Sequence, residues 1–372
     1  MKEKAIYFCF LASVVTGAYF AYTTDSKTDQ SPVVKNESMA ISPAQAKPWV
    51  VKKLANEESL ATVQFIDQAR GWVVSRKGNI YVTSDGGETW QLKRVDMPLD
   101  SEVSASFFVD SLTGWVSILR LSPDVLLPNK ERAWLMKTED GGNSWVEQYS
   151  QKAVQLTRLY FVSPQEGWAV GSRTIKRDTL QTDGFVLHSV DAGKHWTVVS
   201  DSLPKGEGGL EDAYYDKAVG LSVLNSDGRV FLTSDGGARW STIAAVPDEP
   251  MQTFFGRFGD LADKRMWFVG GSASYEGTWG VLAFKDPDSN TWLKLKTHAY
   301  LYDVMFLSAD KVIACGFTSG KRGVILRSSD GGRSWVTDMP PNASAAFTAL
   351  ARAGDHVWVI GERGYIAMLK DF

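Results

Sequence analysis

The chain has 372 residues, of which 12% are aromatic and 33 are glycine, so it combines a large buried surface with many turns. It carries 40 lysine and arginine residues against 43 aspartate and glutamate residues, and this balance argues against a nucleic-acid-binding protein. Its 2 cysteines, Cys9 and Cys315, are too few for a disulfide framework, and Cys315 lies in an apolar run typical of a packed core.

Residues 1–22 have the pattern of an export signal. Lys2 and Lys4 precede an uncharged run of 18 residues, Ala5 to Tyr22, which is long enough to span a bilayer as one helix. The segment is therefore either a cleaved signal peptide or a signal anchor that attaches the protein to the membrane. Residues 23–47 are rich in Ser, Thr, Asp, Gln, Pro and Lys, which predicts a disordered tether. We expect an exported protein, either periplasmic or tethered to the outer face of the inner membrane.

From residue 48 onward, the chain repeats an eight-residue motif, Thr/Ser-x-Asp-x-Gly-x-x-Trp, here called the octet. The aspartates and tryptophans of the clear copies are Asp85 and Trp90, Asp140 and Trp145, Asp191 and Trp196, Asp235 and Trp240, and Asp330 and Trp335. A degenerate copy ends at Trp292. The Asp can cap N–H groups of its own turn, the Gly allows a positive φ, and the Trp can fill the space between two sheets. Each octet therefore predicts a structural hairpin turn between two strands.

A calcium loop is the alternative interpretation of the octet. Each clear octet offers one carboxylate at its third position, such as Asp85, whereas calcium prefers about six or more oxygen ligands. The structural interpretation is therefore favoured, and no metal ion or other cofactor is predicted.

The octet tryptophans, including Trp292, are 43 to 55 residues apart. Within each unit, an inner strand and a second strand precede the octet. The second strand often begins with Gly-Trp, as at Gly71-Trp72, Gly114-Trp115 and Gly167-Trp168. Four strands in a repeat of this length are typical of a β-propeller.

The two ends of the repeat region predict how the ring closes. Residues 346–369 contain three strands of a seventh unit but no octet and no fourth strand. Trp49–Leu54 resembles the strands that follow the octets, and Trp49 lies 41 residues before Trp90. We therefore predict an all-β fold: a monomeric seven-bladed β-propeller over residues 48–372, with four-stranded antiparallel blades and the last blade closed by the N-terminal strand.

No residue pattern indicates catalysis. The four histidines, His188, His195, His298 and His356, lack the spacing of a zinc site, and Cys315 lies inside a strand. The octet also occurs in sialidases and other glycosidases, but away from their active sites, and this chain lacks the Arg-Ile-Pro segment of sialidases. Aspartate and glutamate are plentiful, but no pair is singled out as a catalytic pair. A non-enzyme is therefore predicted, and a carbohydrate-active enzyme or glycan-binding propeller of sialidase type is the alternative.

Together, the Gly-Trp strands, the octets and the exported N-terminus resemble the photosystem II stability and assembly factors of chloroplasts and cyanobacteria and their bacterial relatives. The nearest matches are Gly167-Trp168-Ala169-Val170-Gly171 and Ser328–Trp335, and the resemblance covers residues 48–372. It implies a seven-bladed propeller without a known catalytic site that assists the assembly of membrane complexes by protein–protein contact. Cyanobacterial members often carry a lipid-modified cysteine, but Cys9 lacks the small residues expected before one.

The length variation of the units predicts the binding surface. In a four-stranded blade, the loops between the second and third strands and the connections between blades share one face, here called the variable face. The octet turns lie on the opposite face, here called the octet face. The insertions fall on the variable face, where binding residues are commonly found. The candidate residues, expected to contact a protein partner such as a membrane protein complex, are Lys130, Arg132, Arg173, Lys176, Arg177, Tyr275, Trp279, Lys321 and Arg322.

Overall fold

The computed structural model describes residues 32–39, 41–43, 49–54, 56–120, 132–176, 181–205, 208–247, 254–260, 265–274, 277–286, 288–289, 291–338, 340–341, 343, 345–370 and 372. The predicted export signal and residues 23–31 lie outside this description. Within the described part of the chain, no helix is both long enough and apolar enough to cross a membrane.

The described strands form seven sheets, one for each blade. Blade 1 consists of β4 (Leu60–Phe65), β5 (Gly71–Ser75), β6 (Asn79–Thr83) and β7 (Gln91–Arg94). Blade 2 consists of β8 (Ser101–Phe108), β9 (Gly114–Arg120), β10 (Arg132–Thr138) and β11 (Val146–Lys152). Blade 3 consists of β12 (Val154–Phe161), β13 (Gly167–Lys176), β14 (Gln181–Ser189) and β15 (Thr197–Val198). Blade 4 consists of β16 (Leu210–Asp216), β17 (Gly220–Asn225), β18 (Arg229–Thr233) and β19 (Ser241–Ala245).

The remaining blades follow the same order from the inner to the outer strand. Blade 5 consists of β20 (Phe254–Asp260), β21 (Met266–Ser274), β22 (Gly277–Lys285) and β23 (Thr291–Thr297). Blade 6 consists of β24 (Ala299–Phe306), β25 (Val312–Thr318), β26 (Gly323–Ser328) and β27 (Trp335–Asp338). Blade 7 consists of β28 (Phe347–Ala353), β29 (His356–Gly361), β30 (Tyr365–Leu369) and, from the N-terminal side of the chain, β3 (Trp49–Lys53). The inner strand β28 contacts β4 of blade 1, so the ring is closed.

The predicted closing strand is confirmed. β3 runs antiparallel to β30, with Trp49 opposite Leu369 and Lys53 opposite Tyr365. The Trp49 indole Nε1 also donates a hydrogen bond of 2.9 Å to Oδ2 of Asp338 in blade 6. The first strand of the propeller is thereby fixed to two blades at once.

The Gly-Trp pattern reflects packing between aromatic rings. A Cβ at Gly71 would lie 2.4 Å from the Phe65 ring, so only glycine leaves room for that ring in its own blade. The adjoining Trp72 is buried and stacks on Phe108 of the next blade, with ring centroids 4.4 Å apart. The core therefore lies between neighbouring blades, and Cys315 is one of its fully buried residues, as predicted.

The octets form the predicted hairpin turns. In the first copy, Oγ1 of Thr83 donates to Oδ1 of Asp85 at 2.8 Å, and the same carboxylate accepts the N–H of Thr89 at 2.9 Å. Gly86 and Gly87 have φ values of 71° and 85°, a conformation that favours glycine. The N–H of Gly86 donates to the carbonyl of Ala69, which places the turn beside the loop between the first two strands of its blade.

The octet tryptophans were expected to be buried, and the structure confirms this for two of the six. Among the six, Trp292 and Trp335 are 1% exposed. The others, which are half-buried, are Trp90, Trp145, Trp196 and Trp240. The difference matches the position of two additional strands, because Trp292 and Trp335 lie on the two blades whose outer edge another strand covers.

Those additional strands belong to the segment predicted to be a disordered tether, and that prediction is wrong for them. β1 (Val33–Ser38) pairs in parallel with β23 of blade 5, and β2 (Ile41–Pro43) pairs in parallel with β27 of blade 6. We call β1, Met39 and β2 the belt. It forms because the outer edges of these blades offer unpaired N–H and C=O groups to a nearby extended chain.

Candidate functional site

The structure shows where part of the predicted binding set lies. Lys130, Arg177 and Tyr275 lie outside the described residues, and for Lys176 the description covers only its backbone at the end of β13. The others are on the variable face or close to it, but on different blades. Arg132 is on blade 2, Arg173 on blade 3, Trp279 on blade 5, and Lys321 and Arg322 on blade 6.

Blade 2 ends at the variable face in a row of cations. Arg120 on β9 lies opposite Arg132 on β10, and Arg132 lies opposite Lys152 on β11. Residues directly opposite each other in an antiparallel pair have neighbouring side chains, and like charges in such pairs are destabilising. Among the described residues, no carboxylate forms an ion pair with any of these cations. The repulsion between these neighbouring cations is therefore not offset by an ion pair within the described part of the chain.

One aromatic ring and one hydroxyl group hold the middle cation of the row. The Arg132 guanidinium lies 5.8 Å from the centroid of the Trp134 ring, and its Nη1 donates to Oγ of Ser150 at 3.2 Å. Arg120 and Lys152 are exposed, whereas Arg132 is half-buried. Arg132 is therefore held in place between two cations that reach solvent.

Arg173 adjoins this row from blade 3. The N–H of the next residue, Thr174, donates to the carbonyl of Ala153, which follows Lys152, at 3.0 Å. The Arg173 guanidinium lies 5.7 Å from the centroid of the Phe185 ring. Burial raises the pKa of the nearby Tyr149 to about 12, against the opposing effect of the Arg173 charge. We call Arg120, Arg132, Lys152 and Arg173 the basic cluster.

Sequence reasoning found Arg132 and Arg173 but missed Arg120 and Lys152. The sequence did contain a hint of the pair Arg120 and Arg132, because these two residues flank the insertion of residues 121–131. Their pairing with Lys152 depends on strand register, which the sequence alone did not specify.

The other predicted residues are separate from the cluster. Trp279 is half-buried against the core between blades 4 and 5, with Lys296 Nζ 5.7 Å from its ring centroid. Lys321 and Arg322 are exposed in the turn between β25 and β26, where Lys321 has a φ of 55°. The described members of the predicted set therefore belong to several surfaces, and among them Arg132 and Arg173 come together from different blades.

Charged residues also line the inner strands, in a pattern that the sequence analysis missed. Each inner strand of blades 3 to 6 has a bulge, and the residue after the bulge is charged: Arg158, Asp212, Arg257 and Asp303. The signs alternate from blade 3 to blade 6. This alternation, at the same position of four successive units, could have predicted from the sequence that the inner strands pair by charge.

These four residues form a network across blades. Nε of Arg158 lies 2.7 Å from Oδ1 of Asp212, and Nε of Arg257 lies 3.6 Å from Oδ1 of Asp303. Arg257 also approaches Asp212, with its Nη1 4.0 Å from Oδ1. Oδ2 of Asp303 accepts the N–H of Leu350 in blade 7 at 2.9 Å. The network therefore connects the inner strands of five consecutive blades.

Burial dominates the titration of these acids. It raises the pKa of Asp212 and of Asp303 to about 6, although Arg158 attracts both carboxylates. It also raises the pKa of the adjacent Glu211 to about 7. Asp212 and Asp303 are each engaged by an arginine and by a backbone N–H, so their geometry serves ring closure. Within the described residues, no group of three or more His, Cys, Asp or Glu side chains could hold a metal ion.

Comparison with known proteins identifies relatives of this chain. The model of the family "Photosynthesis system II assembly factor YCF48" matches residues 41–134. The photosystem II assembly lipoprotein Ycf48 of Synechococcus sp. (strain CC9902) is 26% identical over 339 residues, which cover 88% of this chain and 90% of that protein. The chain resembles the Ycf48 assembly factors. The resemblance inferred from the octets and the Gly-Trp strands is therefore confirmed.

Solved structures show how widely the fold is shared. A structure of Ycf48 bound to a D1 peptide matches with a TM-score of 0.64 and 19% identity, over 89% of this chain and 99% of that one. A GH74 enzyme from Niastella koreensis matches with a TM-score of 0.57 and 12% identity, over 85% of this chain and 53% of that one. Because the propeller of Ycf48 is also found in an enzyme, the fold alone does not decide between binding and catalysis.

Proposed function

We propose that this protein is a non-catalytic assembly factor of the cell envelope, which binds an acidic segment of a protein partner through the basic cluster. The observation that carries the proposal is the row of Arg120, Arg132 and Lys152, three cations placed side by side without a described carboxylate partner. Like charges in register cost stability, and a bound anionic segment would offset that cost.

The composition of the cluster favours a protein segment over a bare ion. Arg132 and Arg173 lie over aromatic rings, so planar guanidinium groups stand beside apolar surface. A carboxylate-bearing peptide would use both features, the charge and the adjoining rings. The chain as a whole has a formal net charge of −3, so the cluster is a local positive site that orients an acidic partner.

The relatives support an assembly role. The Synechococcus protein is named a photosystem II assembly lipoprotein, and a solved Ycf48 structure contains a D1 peptide. By analogy, we propose that this protein is exported, attached to the membrane at its N-terminal side, and active as a monomer on a membrane protein complex. The names of the relatives support a role in assembly. The acidic character of the partner is proposed from the basic cluster of this chain.

A carbohydrate-active enzyme is the rival proposal, and the bonding of the inner-strand and octet aspartates does not favour it. Asp212 and Asp303 are tied to arginines and backbone amides, and the octet aspartates accept hydrogen bonds within their own turns. Glycoside hydrolysis needs two carboxyl groups that face one substrate. These carboxylates are already occupied in the free protein.

Charge reversal of the cluster tests the proposal. The full chain would be used to capture partners from solubilised membranes, alongside an Arg120→Glu, Arg132→Glu double variant. We expect the variant to lose a specific partner, because two anionic side chains would repel an acidic segment. Its thermal stability should change little, since a glutamate opposite Lys152 replaces a repulsion with an attraction while the contacts of Arg132 with Trp134 and Ser150 are lost.

The matched control is Lys217→Glu, which reverses an exposed charge in a turn on the octet face. The control should capture the same partner as the unmodified chain. Capture that is unaffected by the double variant would contradict the proposed site. Turnover of a glycoside by the unmodified chain would contradict the non-catalytic function.

A further inference from the structure

The belt is bound to blades 5 and 6 by main-chain pairing. Val33 lies opposite Thr291, and the parallel register continues to Ser38 opposite Lys296. The N–H of Met39 then donates to the carbonyl of Lys296 at 2.9 Å, so the ladder extends beyond the strand. Such pairing depends on an extended backbone and hardly on side-chain identity.

One side chain anchors the belt. Among the described side chains of the belt, Met39 is the buried one, with 8% of its surface exposed. It packs in the core cluster that includes Phe284, Leu295 and Trp335. By contrast, Val33 and Ile41 are 58% and 39% exposed. Recognition of the belt therefore requires an extended backbone and one apolar side chain at the Met39 position.

The ring does not depend on the belt for closure. The outer strands β7, β11 and β19 complete blades 1, 2 and 4 without a fifth strand. The closing strand β3 has its own anchors, since Trp49 and Leu54 are both buried and β3 pairs with β30. The belt could therefore leave blades 5 and 6 while blade 7 stays closed.

We propose that the outer edges of β23 and β27 form a strand-accepting site, which the belt fills within its own chain and which a matching extended segment of another polypeptide can fill instead. The matching segment is parallel to β23 over about six residues and then presents an apolar side chain to the Met39 pocket. The site lies on the rim of blades 5 and 6, whereas the basic cluster lies on blades 2 and 3. The two proposals are therefore independent.

A cleavable belt tests this inference. A protease recognition sequence would be inserted between Pro43 and Trp49 of the full chain, and the folded protein would be cut there. The probe is a labelled peptide with the sequence of residues 32–43. We expect the peptide to replace the cut belt, and we expect the uncut protein, whose site is filled, not to bind it.

Two further measurements identify the site. A peptide with Met39→Asp should bind at least about tenfold more weakly, because a charge would enter the apolar pocket. Loss of the cut belt should also expose Trp292 and Trp335, which lie opposite belt residues, and thereby change the tryptophan fluorescence. Addition of the unmodified peptide should reverse this change.

The inference is overturned if the cut protein does not bind the peptide, if the uncut protein binds it equally well, or if the Met39→Asp peptide binds as tightly. Unfolding of the protein on cleavage would also overturn it, since the belt would then be an integral part of the ring. The Arg120→Glu, Arg132→Glu variant, given the same cleavage site and cut there, should bind the peptide as the cut unmodified chain does, so failure of one proposal leaves the other standing.

Discussion

The tryptophan that ends each octet occupies one sequence position but two environments. Trp335 is 1% exposed and donates from Nε1 to the carbonyl of Gly332 at 2.9 Å. Trp240 is half-buried and donates to the carbonyl of Val199 at 3.0 Å. Both indoles are satisfied, so the difference between them is buried apolar area.

Replacement of these two tryptophans should therefore have unequal effects. Trp335→Ala should lower the free energy of unfolding by about 3–5 kcal/mol, because it removes a fully buried ring from a packed cluster. Trp240→Ala should cost about half as much, because much of its ring already contacts solvent. Urea unfolding at neutral pH measures both values. Equal losses would show that the octet tryptophans share one structural role.

The octet aspartates also show the effect of local structure on one residue type. The Thr89 hydroxyl and N–H, together with the Thr83 hydroxyl, lower the pKa of Asp85 to about 2. Hydrogen bonds from His195 and Arg239 lower the pKa of Asp191 and Asp235 to about 2 as well. Their folded-state pKa values are below those of the unfolded chain, so their stabilising effect is present above about pH 4 and is lost as the pH falls toward 2.

At the scale of elements, a buried ion pair fixes the closing strand. Oδ2 of Asp338 lies 2.7 Å from Nε of Arg327 and accepts the indole N–H of Trp49. Asp338 is 1% exposed and Arg327 is 7% exposed, so both charges are removed from water. The carboxylate thus links β26, β27 and β3, the three strands at the junction of blades 6 and 7.

Loss of that carboxylate should weaken the junction. Asp338→Asn leaves the Arg327 charge buried without its counter-charge, and we expect a loss of about 3–5 kcal/mol in the free energy of unfolding. The double change Asp338→Asn, Arg327→Met should cost less, because the uncompensated charge is removed as well. Chemical denaturation of the three proteins gives the comparison. A double variant less stable than Asp338→Asn would show that burial of the unpaired charge is not the cause.

At the scale of the whole molecule, the charge network connects the inner strands of blades 3 to 7. Its acids respond to pH in the opposite sense to the octet aspartates. Burial raises the pKa of Asp212 and Asp303 from 3.8 to about 6, so the folded protein holds these protons at a pH where the unfolded chain has lost them. Their contribution to stability is therefore fully present below about pH 4 and is lost as the pH rises through 6.

This predicts a stability maximum in mild acid. Between pH 4 and pH 7, the free energy of unfolding should fall by up to about 2 kcal/mol for each of these two acids. The Asp303→Asn variant has no carboxyl group to titrate at this position. Its free energy of unfolding should therefore fall less steeply over the same pH range, whatever its absolute value. Denaturation midpoints measured at several pH values compare the slopes. Identical slopes for the two proteins would show that Asp303 does not contribute to the pH dependence of stability.

The sequence by itself determined the number of blades, their four-stranded order and the closing strand. The octets and the Gly-Trp pairs carry this information locally, because a turn such as Thr83 to Trp90 is built from hydrogen bonds within eight residues. Trp49–Leu54 could be assigned because it resembles the strands that follow the octets. The belt was missed because its strands are mostly solvent-exposed, and their pattern matches that of a tether.

Only the tertiary structure decided which residues form the candidate sites. Arg120, Arg132 and Lys152 are brought together by strand register, and a shift of one residue would turn every side chain to the other face. The alternating charges of Arg158, Asp212, Arg257 and Asp303 meet because closure of the ring places successive inner strands side by side. Closure depends on the whole chain. The spacing of the repeats therefore predicts the blades but not which side chains contact each other between neighbouring blades.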